Sequence, residues 1–311
     1  MIYMPSTVVF ITSIVSFIGF IINILVMFVV LSRGSRKYHL LFALILFTAA
    51  FWDMGIFLVM IRNNHSNEII LYQSLLSLPI DLFPAFVYHF TTTYLNQPRK
   101  ISTIAIYAYC ALGPIGFITG FYQPVSGVYN YSWGNIGRNA LDNLTIVWWT
   151  LYNLSILVSC WLLLRARKRE SSPVTRRHSA YILVSFIMFG LAQVKVLVAF
   201  GIDAAFMLPV GILLVGSFGA VIGMAIIKDR LFNITVFVKK GIVYSVLAVL
   251  IIFIFDFSQH LIAMYLGSIV GEHSEYVNFA SIAMVIIAFM PIKHRLERTI
   301  GGILTEKKIE F

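Results

Sequence analysis

Charged side chains inside apolar stretches are the first candidates for chemistry in this chain. Asp53, Asp81, Lys195 and Asp256 each lie within a stretch that is long and apolar enough to cross a lipid bilayer. An ionised group at the bilayer centre costs about 2.5–3.5 kcal/mol on insertion scales, so such groups are rare and usually paired. We expect Asp53 and Lys195 in the outer half of the membrane and Asp81 near its middle, where Lys195 can neutralise either carboxylate.

Two interpretations of Asp53, Asp81 and Lys195 stay open at this point. The three residues can form a polar ligand pocket or a charge switch among the helices. They can instead form an ion pair, or include a carboxyl group kept neutral, whose only role is to fix how the helices pack.

Two prolines flank Asp81 in the third apolar stretch. Pro79 and Pro84 each remove a backbone donor, which predicts a helix kink beside the carboxyl group. A kink beside a polar group suits a helix that moves when a ligand binds, although prolines are also ordinary in membrane helices.

A second titratable pair lies further along the chain. Asp256 and His260 are four residues apart, on one face of the eighth predicted span. They can form a proton-responsive pair because imidazole titrates near neutral pH. A plain hydrogen bond between spans 8 and 9 is the alternative.

Small residues in the seventh span predict a close helix contact. Gly219 and Gly223 have the GxxxG spacing that lets two helix backbones approach each other. The contact can lie within this chain or between two copies of it, and we expect the first.

Soluble catalytic motifs do not occur in the sequence. There is no phosphate-binding loop, no nucleophile elbow and no zinc-protease motif, and Cys110 and Cys160 both lie inside apolar runs. We therefore expect no enzyme activity, no catalytic residue, no cofactor and no metal.

Composition indicates which elements must position these residues. Of the 311 residues, 59% are hydrophobic and 12% charged, whereas a soluble domain carries about 25% charged residues. The sequence predicts an all-α, polytopic membrane helical bundle of about nine transmembrane helices. They cover residues 7–32, 39–61, 69–95, 102–121, 144–165, 179–200, 207–227, 241–266 and 276–292.

Basic residues fall almost entirely into alternate loops. All but three of the 23 Lys and Arg residues share one side of the predicted topology, and the exceptions are Arg62, Arg138 and Lys195. Positive residues stay cytoplasmic, so we expect the N-terminus outside, the C-terminus in the cytoplasm, and the chain in the inner (cytoplasmic) cell membrane. The net charge of +10 then favours anionic lipid headgroups on the cytoplasmic face rather than nucleic acid.

The chain divides into four predicted parts. Residues 1–227 form a seven-span bundle, 228–240 an interfacial linker, 241–292 a two-span transmission segment and 293–311 a cytoplasmic amphipathic tail. Residues 123–143 have the composition of a loop, which either caps the bundle or forms an interfacial aromatic belt. The tail carries an apolar stripe that can serve as an output helix, formed by Leu296, Ile300, Ile303 and Leu304.

Several short patterns resemble the seven-span N-terminal sensor region of bacterial and archaeal histidine kinases, together with the two-helix segment that follows it. They are residues 83–90 (FPAFVYHF), 228–234 (KDRLFNI), 239–244 (KKGIVY) and 289–296 (FMPIKHRL). The resemblance implies a receptor that binds a small molecule, lipid or peptide within the bundle and signals to the cytoplasm.

The sequence departs from that family pattern at its end. No phosphoacceptor helix and no ATP-binding fold follow the tail, so we expect either an isolated sensor or a relative whose output domain lies on another chain. A homodimer and a cytoplasmic signalling partner acting in trans are the expected associations. A transporter or channel, and an anchoring subunit of a larger membrane complex, are the alternative functions.

The topology gives the first testable prediction. Reporter fusions after Lys100, Arg169 and Phe311 should report the cytoplasm, and fusions within residues 123–143 should report the outside, because basic loops are retained on the cytoplasmic face. Alkaline phosphatase and fluorescent-protein fusions measure the two outcomes. A C-terminus outside the cell would rule out a cytoplasmic output.

Overall fold

The seven predicted N-terminal spans are helical in a computed structural model that describes residues 6–33, 36–62, 65–139 and 143–229, with the isolated positions Ala283 and Ile287. Seven helical segments in this part of the chain are long and apolar enough to cross a membrane. The helices are α1 (Thr7–Arg33), α2 (Lys37–Ile61), α3 (Ser66–Asp81), α4 (Phe83–Tyr94), α5 (Lys100–Ile118), α6 (Asn143–Arg169), α7 (Pro173–Leu191), α8 (Val196–Ala199) and α9 (Met207–Asp229). The protein is thus a mostly helical, multi-pass membrane protein.

Two of the seven spans are interrupted. The third span consists of α3 and α4, which separate at Leu82 between the two prolines, where the Leu82 N–H donates to the Pro79 carbonyl at 3.2 Å. The sixth span consists of α7, a 3₁₀ turn at Ala192–Lys195 and the short helix α8. A 3₁₀ turn inside a helix often marks strain or a hinge.

Glycines allow α1 and α9 to cross at very short range. A Cβ placed on Gly216 would lie 3.0 Å from the Gly19 Cα, and one on Gly223 would lie 3.0 Å from Val26 Cγ2. Gly219 faces Asn23 of α1 in the same contact. The small-residue motif therefore packs within the chain, as expected from the sequence.

A β-hairpin covers one end of the bundle, called the hairpin end below. Strands β1 (Val125–Tyr131) and β2 (Gly134–Asn139) pair antiparallel around a two-residue turn, with Tyr131 opposite Gly134. The prediction of a loop in this segment was therefore wrong, and the fold is not purely α-helical. The strands form because neighbouring helices hold them, whereas an isolated hairpin is only marginally stable.

Side-chain hydrogen bonds anchor the hairpin to the helices. The amide of Gln73 donates to the Gly137 carbonyl at 3.3 Å and accepts from the Gly137 N–H at 3.0 Å. Trp133 donates to Asp203 at 2.8 Å, and Tyr131 donates to the Val198 carbonyl at 2.7 Å. Burial, together with Tyr129 and Asp203, raises the pKa of Tyr131, so its hydroxyl keeps the proton that it donates.

Phenylalanine side chains fill the other half of the bundle, toward the end where α2 begins and α4 ends, called the basic end below. Six buried phenylalanines form this layer, and their rings contact one another across four helices. They are Phe42, Phe83, Phe90, Phe186, Phe189 and Phe218. Phe83 stacks on Phe189 with ring centroids 3.7 Å apart. This phenylalanine layer directly joins the segments next to the two interruptions.

Several predictions concern residues outside those that the structure describes. They are the eighth and ninth spans, most of the 228–240 linker, the pair Asp256 and His260, and the output stripe of Leu296, Ile300, Ile303 and Leu304. They stay predictions, as do the membrane orientation and the division into four parts.

The α1–α9 crossing generates a stability prediction. Gly216→Val should lower the free energy of unfolding by about 1–3 kcal/mol, because the added methyl groups overlap the backbone of α1. Thermal unfolding in detergent, followed by circular dichroism, measures the effect.

The matched control is Gly190→Val on α7. A Cβ at Gly190 meets nothing within 4 Å, so this variant should carry only the small helix-propensity difference. Equal stability of the two variants would contradict a close α1–α9 crossing.

Candidate functional site

A buried carboxyl group lies where α1, α2 and α9 meet. Asp53 on α2 is fully buried, and Asn23 Nδ2 on α1 donates to Asp53 Oδ2 at 3.0 Å. The site has no room for a further side chain, since a Cβ on Gly19 would lie 2.7 Å from that oxygen. The other carboxyl oxygen, Oδ1, is buried with no hydrogen bond, so the group is only half satisfied.

Lys195 points inward from the 3₁₀ turn. The residue is 3% exposed, and its Nζ lies 4.8 Å from the ring centroid of Trp52 with no hydrogen-bond acceptor. Helix α9 packs tightly behind it, since a Cβ on Gly211 would lie 2.6 Å from Lys195 Cβ. The ammonium is therefore stabilised by an indole ring rather than by a carboxylate contact.

The expected ion pair is replaced by a looser arrangement. Lys195 and Asp53 interact electrostatically, but within the described part of the chain no nitrogen–oxygen contact of 4.0 Å or less joins Lys195 to either carboxylate. Trp52 was not expected as the partner of Lys195, because an indole ring carries no charge opposite to that of an ammonium group. Its position beside Asp53 in the sequence gave no signal, because adjacent residues of a helix point in different directions.

Asp81 lies apart from this pair, at a small cavity below the hairpin. The cavity has a volume of about 40 Å³, and its lining combines five elements and the segment before β1. It is lined by Trp52, Gln73, Ile80, Asp81, Tyr122, Pro124, Val125, Asn139, Thr145, Trp148 and Trp149. Asp81 is 7% exposed, and none of the described residues gives its carboxylate a hydrogen bond or an ion pair.

Helix α5 fixes the position of the Asp81 side chain. A Cβ on Gly113 would lie 2.7 Å from Asp81 Oδ2, so only glycine leaves room for the carboxylate there. The same carboxylate lies within electrostatic range of Tyr109, Cys110 and Tyr152. Leu82, where the third span is interrupted, follows Asp81 directly.

Trp52 connects the two polar groups. Its ring contacts the Lys195 ammonium, and the same residue lines the cavity that contains Asp81. Asp53, Asp81 and Lys195 are recognisable from the sequence, whereas Asn23, Trp52 and the Trp148–Trp149 pair were not predicted. Uncharged polar and aromatic residues are common in membrane spans, so their types alone did not distinguish them.

Metal binding has no support in the described residues, where no group of three His, Cys, Asp or Glu side chains is close enough to hold an ion. The two cysteines in these residues, Cys110 and Cys160, are buried free thiols. The expected absence of a cofactor stays a prediction.

Comparison with known protein families gives one match that spans most of the described bundle. The model of the "N-terminal 7TM region of histidine kinase" matches residues 14–235. Searches of curated proteins and of solved structures found no match.

The Lys195 environment generates an unusual stability prediction. Lys195→Met should raise the free energy of unfolding by about 1–2 kcal/mol, because it removes a buried ammonium with no hydrogen-bond acceptor and keeps the side-chain volume. Thermal unfolding in detergent is the measurement.

Lys168→Met, at an exposed position near the end of α6, is the control and should leave stability within about 0.5 kcal/mol of the parent. Strong destabilisation by Lys195→Met would instead make the lysine a structural element, held by Trp52 and Asp53.

Proposed function

Because the chain belongs to the family of N-terminal seven-transmembrane regions of histidine kinases, we propose that it is a membrane sensor in which occupation of the cavity at Asp81 changes the arrangement of the third and sixth spans. The observation that carries this proposal is the position of the cavity. Asp81 is the one carboxylate in the cavity lining, and it has no hydrogen-bond partner among the described residues. It directly precedes Leu82, where the third span is interrupted.

A short chain of contacts can transmit the change. Asp81 precedes Leu82, and Leu82 precedes Phe83, whose ring stacks on Phe189 at 3.7 Å. Phe189 lies three residues before the 3₁₀ turn that carries Lys195. A ligand that moves Asp81 therefore acts on both interrupted spans through a single ring contact.

Incomplete polar pairing supports a molecule with two states. Asp53 Oδ1, Asn23 Oδ1 and Lys195 Nζ are buried without hydrogen bonds, so an alternative arrangement in which they pair costs little. A ligand shifts such an equilibrium only through its different affinity for the two arrangements. Movement of Lys195 from Trp52 toward Asp53 is the proposed rearrangement.

The phenylalanine layer favours a sensor over a transporter or channel. Buried rings from α2, α4, α7 and α9 fill the half of the described bundle toward the basic end. A solute that entered at the hairpin end would meet close-packed phenylalanine rings, which offer it no hydrogen bond. A conformational signal, in contrast, is transmitted well by rigid packing.

The remaining parts of the proposal follow from the family and from charge. The output is expected on the cytoplasmic face, through a signalling partner in trans or an output domain, with a homodimer as the expected assembly. Anionic headgroups would bind the basic end. The proposed role is non-catalytic.

Coupling between the cavity and the basic end is tested with Asp81→Asn. Spin labels at Gln97 and Arg176, in a background of Cys110→Ala and Cys160→Ala, lie on exposed positions beside the third and sixth spans. We expect the label separation to change by about 1–2 Å, because helix shifts in allosteric proteins have this size. Pulsed electron spin resonance in nanodiscs measures the separation.

Glu68→Gln is the matched control, since it makes the same chemical change on a partly exposed residue of α3, which pairs with Arg62 and lies outside the cavity lining. Adding Phe83→Leu should remove the response to Asp81→Asn, whereas Phe86→Leu, which alters a ring that contacts Tyr107 instead, should not. An unchanged separation together with solute flux in proteoliposomes would favour the transporter.

A further inference from the structure

The cavity at Asp81 has an unusual lining for its size. Three indole rings and one phenol, from Trp52, Trp148, Trp149 and Tyr122, surround it together with a single carboxylate. The rings come from α2, α6 and the segment after α5, so they converge only in the folded bundle. Indole is the best neutral binder of cations among side chains, and clustered aromatic rings are the usual recognition site for organic ammonium groups.

We infer that this cavity binds the ammonium group of a small organic amine. The aromatic rings supply cation–π attraction, and Asp81 supplies the opposite charge. Asn139 also lines the cavity, and its amide oxygen can accept from an N–H group of the ligand, whereas the amide of Gln73 is already bonded to Gly137. This inference rests on the proposed function and names the ligand class of the same site.

Other ligand classes fit this lining less well. An anion would be repelled by the Asp81 carboxylate, and the lining contains no Arg or Lys to bind it. A divalent metal ion prefers six or more oxygen ligands with several carboxylates, whereas the lining offers one. A neutral apolar molecule would bury the carboxylate with no partner, which is costly.

The protein itself supports the recognition chemistry. The Lys195 ammonium lies 4.8 Å from the ring centroid of Trp52, so this ring already binds a primary ammonium from within the chain. A second cation in the cavity would share Trp52 with Lys195 and repel it. Because of this repulsion, the ligand binds more tightly when Lys195 has moved from Trp52 toward Asp53. This difference in affinity is what shifts the equilibrium between the two arrangements.

Cavity volume limits the size of the group that binds. About 40 Å³ is little more than the volume of one water molecule, so the cavity takes the ammonium group itself and the attached carbons must lie at its opening. Such a group occurs in free alkylamines and in the ethanolamine headgroup of lipids. The experiment must therefore separate the two sources.

The test uses the full chain in nanodiscs of phosphatidylglycerol, titrated with ethylammonium chloride at constant ionic strength. Tryptophan fluorescence reports binding, in a Trp161→Phe background that removes an exposed indole outside the cavity. We expect saturable quenching of the tryptophan fluorescence by ethylammonium. Ethanol and the acetate anion have a similar size but no positive charge, so neither should quench it. Asp81→Asn should weaken binding by about tenfold or more, because it removes the charge and keeps the shape.

A second variant protects the test against misfolding. Trp149→Leu should weaken ethylammonium binding, and Trp149→Phe should restore most of it, because phenylalanine returns an aromatic face. Equal binding of ethanol and ethylammonium, or wild-type affinity in Asp81→Asn, would overturn the inference.

Lipid composition distinguishes the source of the amine. If the headgroup is the ligand, nanodiscs of phosphatidylethanolamine should already show the quenched state, and added ethylammonium should change it little. If the free amine is the ligand, both nanodiscs should titrate alike. If ethylammonium changes the fluorescence in neither nanodisc, and phosphatidylethanolamine does not produce the quenched state, the amine inference is overturned.

The spin-label pair at Gln97 and Arg176 separates this failure from failure of the sensor. If amines do not bind but Asp81→Asn still changes the label separation, the ligand class is wrong and the sensor proposal stands. If the separation also stays unchanged, the proposed function fails as well.

Discussion

The hydrogen bond from Asn23 to Asp53 is the interaction around which the bundle is arranged. Within a membrane a carboxyl group has no water to solvate it, so its partner must come from another helix. That partner reaches Asp53 only because α1 and α9 cross at Gly19 and Gly216, where larger side chains would collide. The three helices therefore have one mutual position in which this carboxyl group is accommodated. The placement of Trp52, the residue before Asp53 in α2, follows from it.

The described bundle has a polar, partly open region toward one end and a close-packed apolar region toward the other. Toward the hairpin end lie the cavity and the buried polar atoms without hydrogen bonds. Toward the basic end lies the phenylalanine layer. Buried polar groups without partners reduce stability, and proteins tend to retain them where function requires a second arrangement. The apolar region then serves as a rigid connection, since packed cores shift between discrete arrangements rather than deform gradually.

Trp52 takes part both in the proposed conformational change and in the proposed ligand site. Its indole ring contacts the ammonium of Lys195, and the residue also lines the cavity that contains Asp81. The Trp52 ring can therefore attract a cation in the cavity as well as the ammonium of Lys195, although the ring itself carries no charge. The β-hairpin adds the remaining constraint, because its hydrogen bonds to Gln73 and Asp203 hold the segment that closes the cavity.

The sequence by itself determined the seven described spans to within about six residues at each end, because each residue's hydrophobicity is local and bilayer thickness sets the required length. It also identified Pro79 and Pro84, between which the third span is interrupted, and Asp53, Asp81 and Lys195 as unusual groups. Only the tertiary structure decided that Lys195 contacts Trp52, that Asp81 faces a cavity, and that residues 125–139 form a hairpin. These features depend on how each helix is rotated and how closely glycines let it approach its neighbours. Such information belongs to pairs of residues distant in sequence, and no single stretch of the chain contains it.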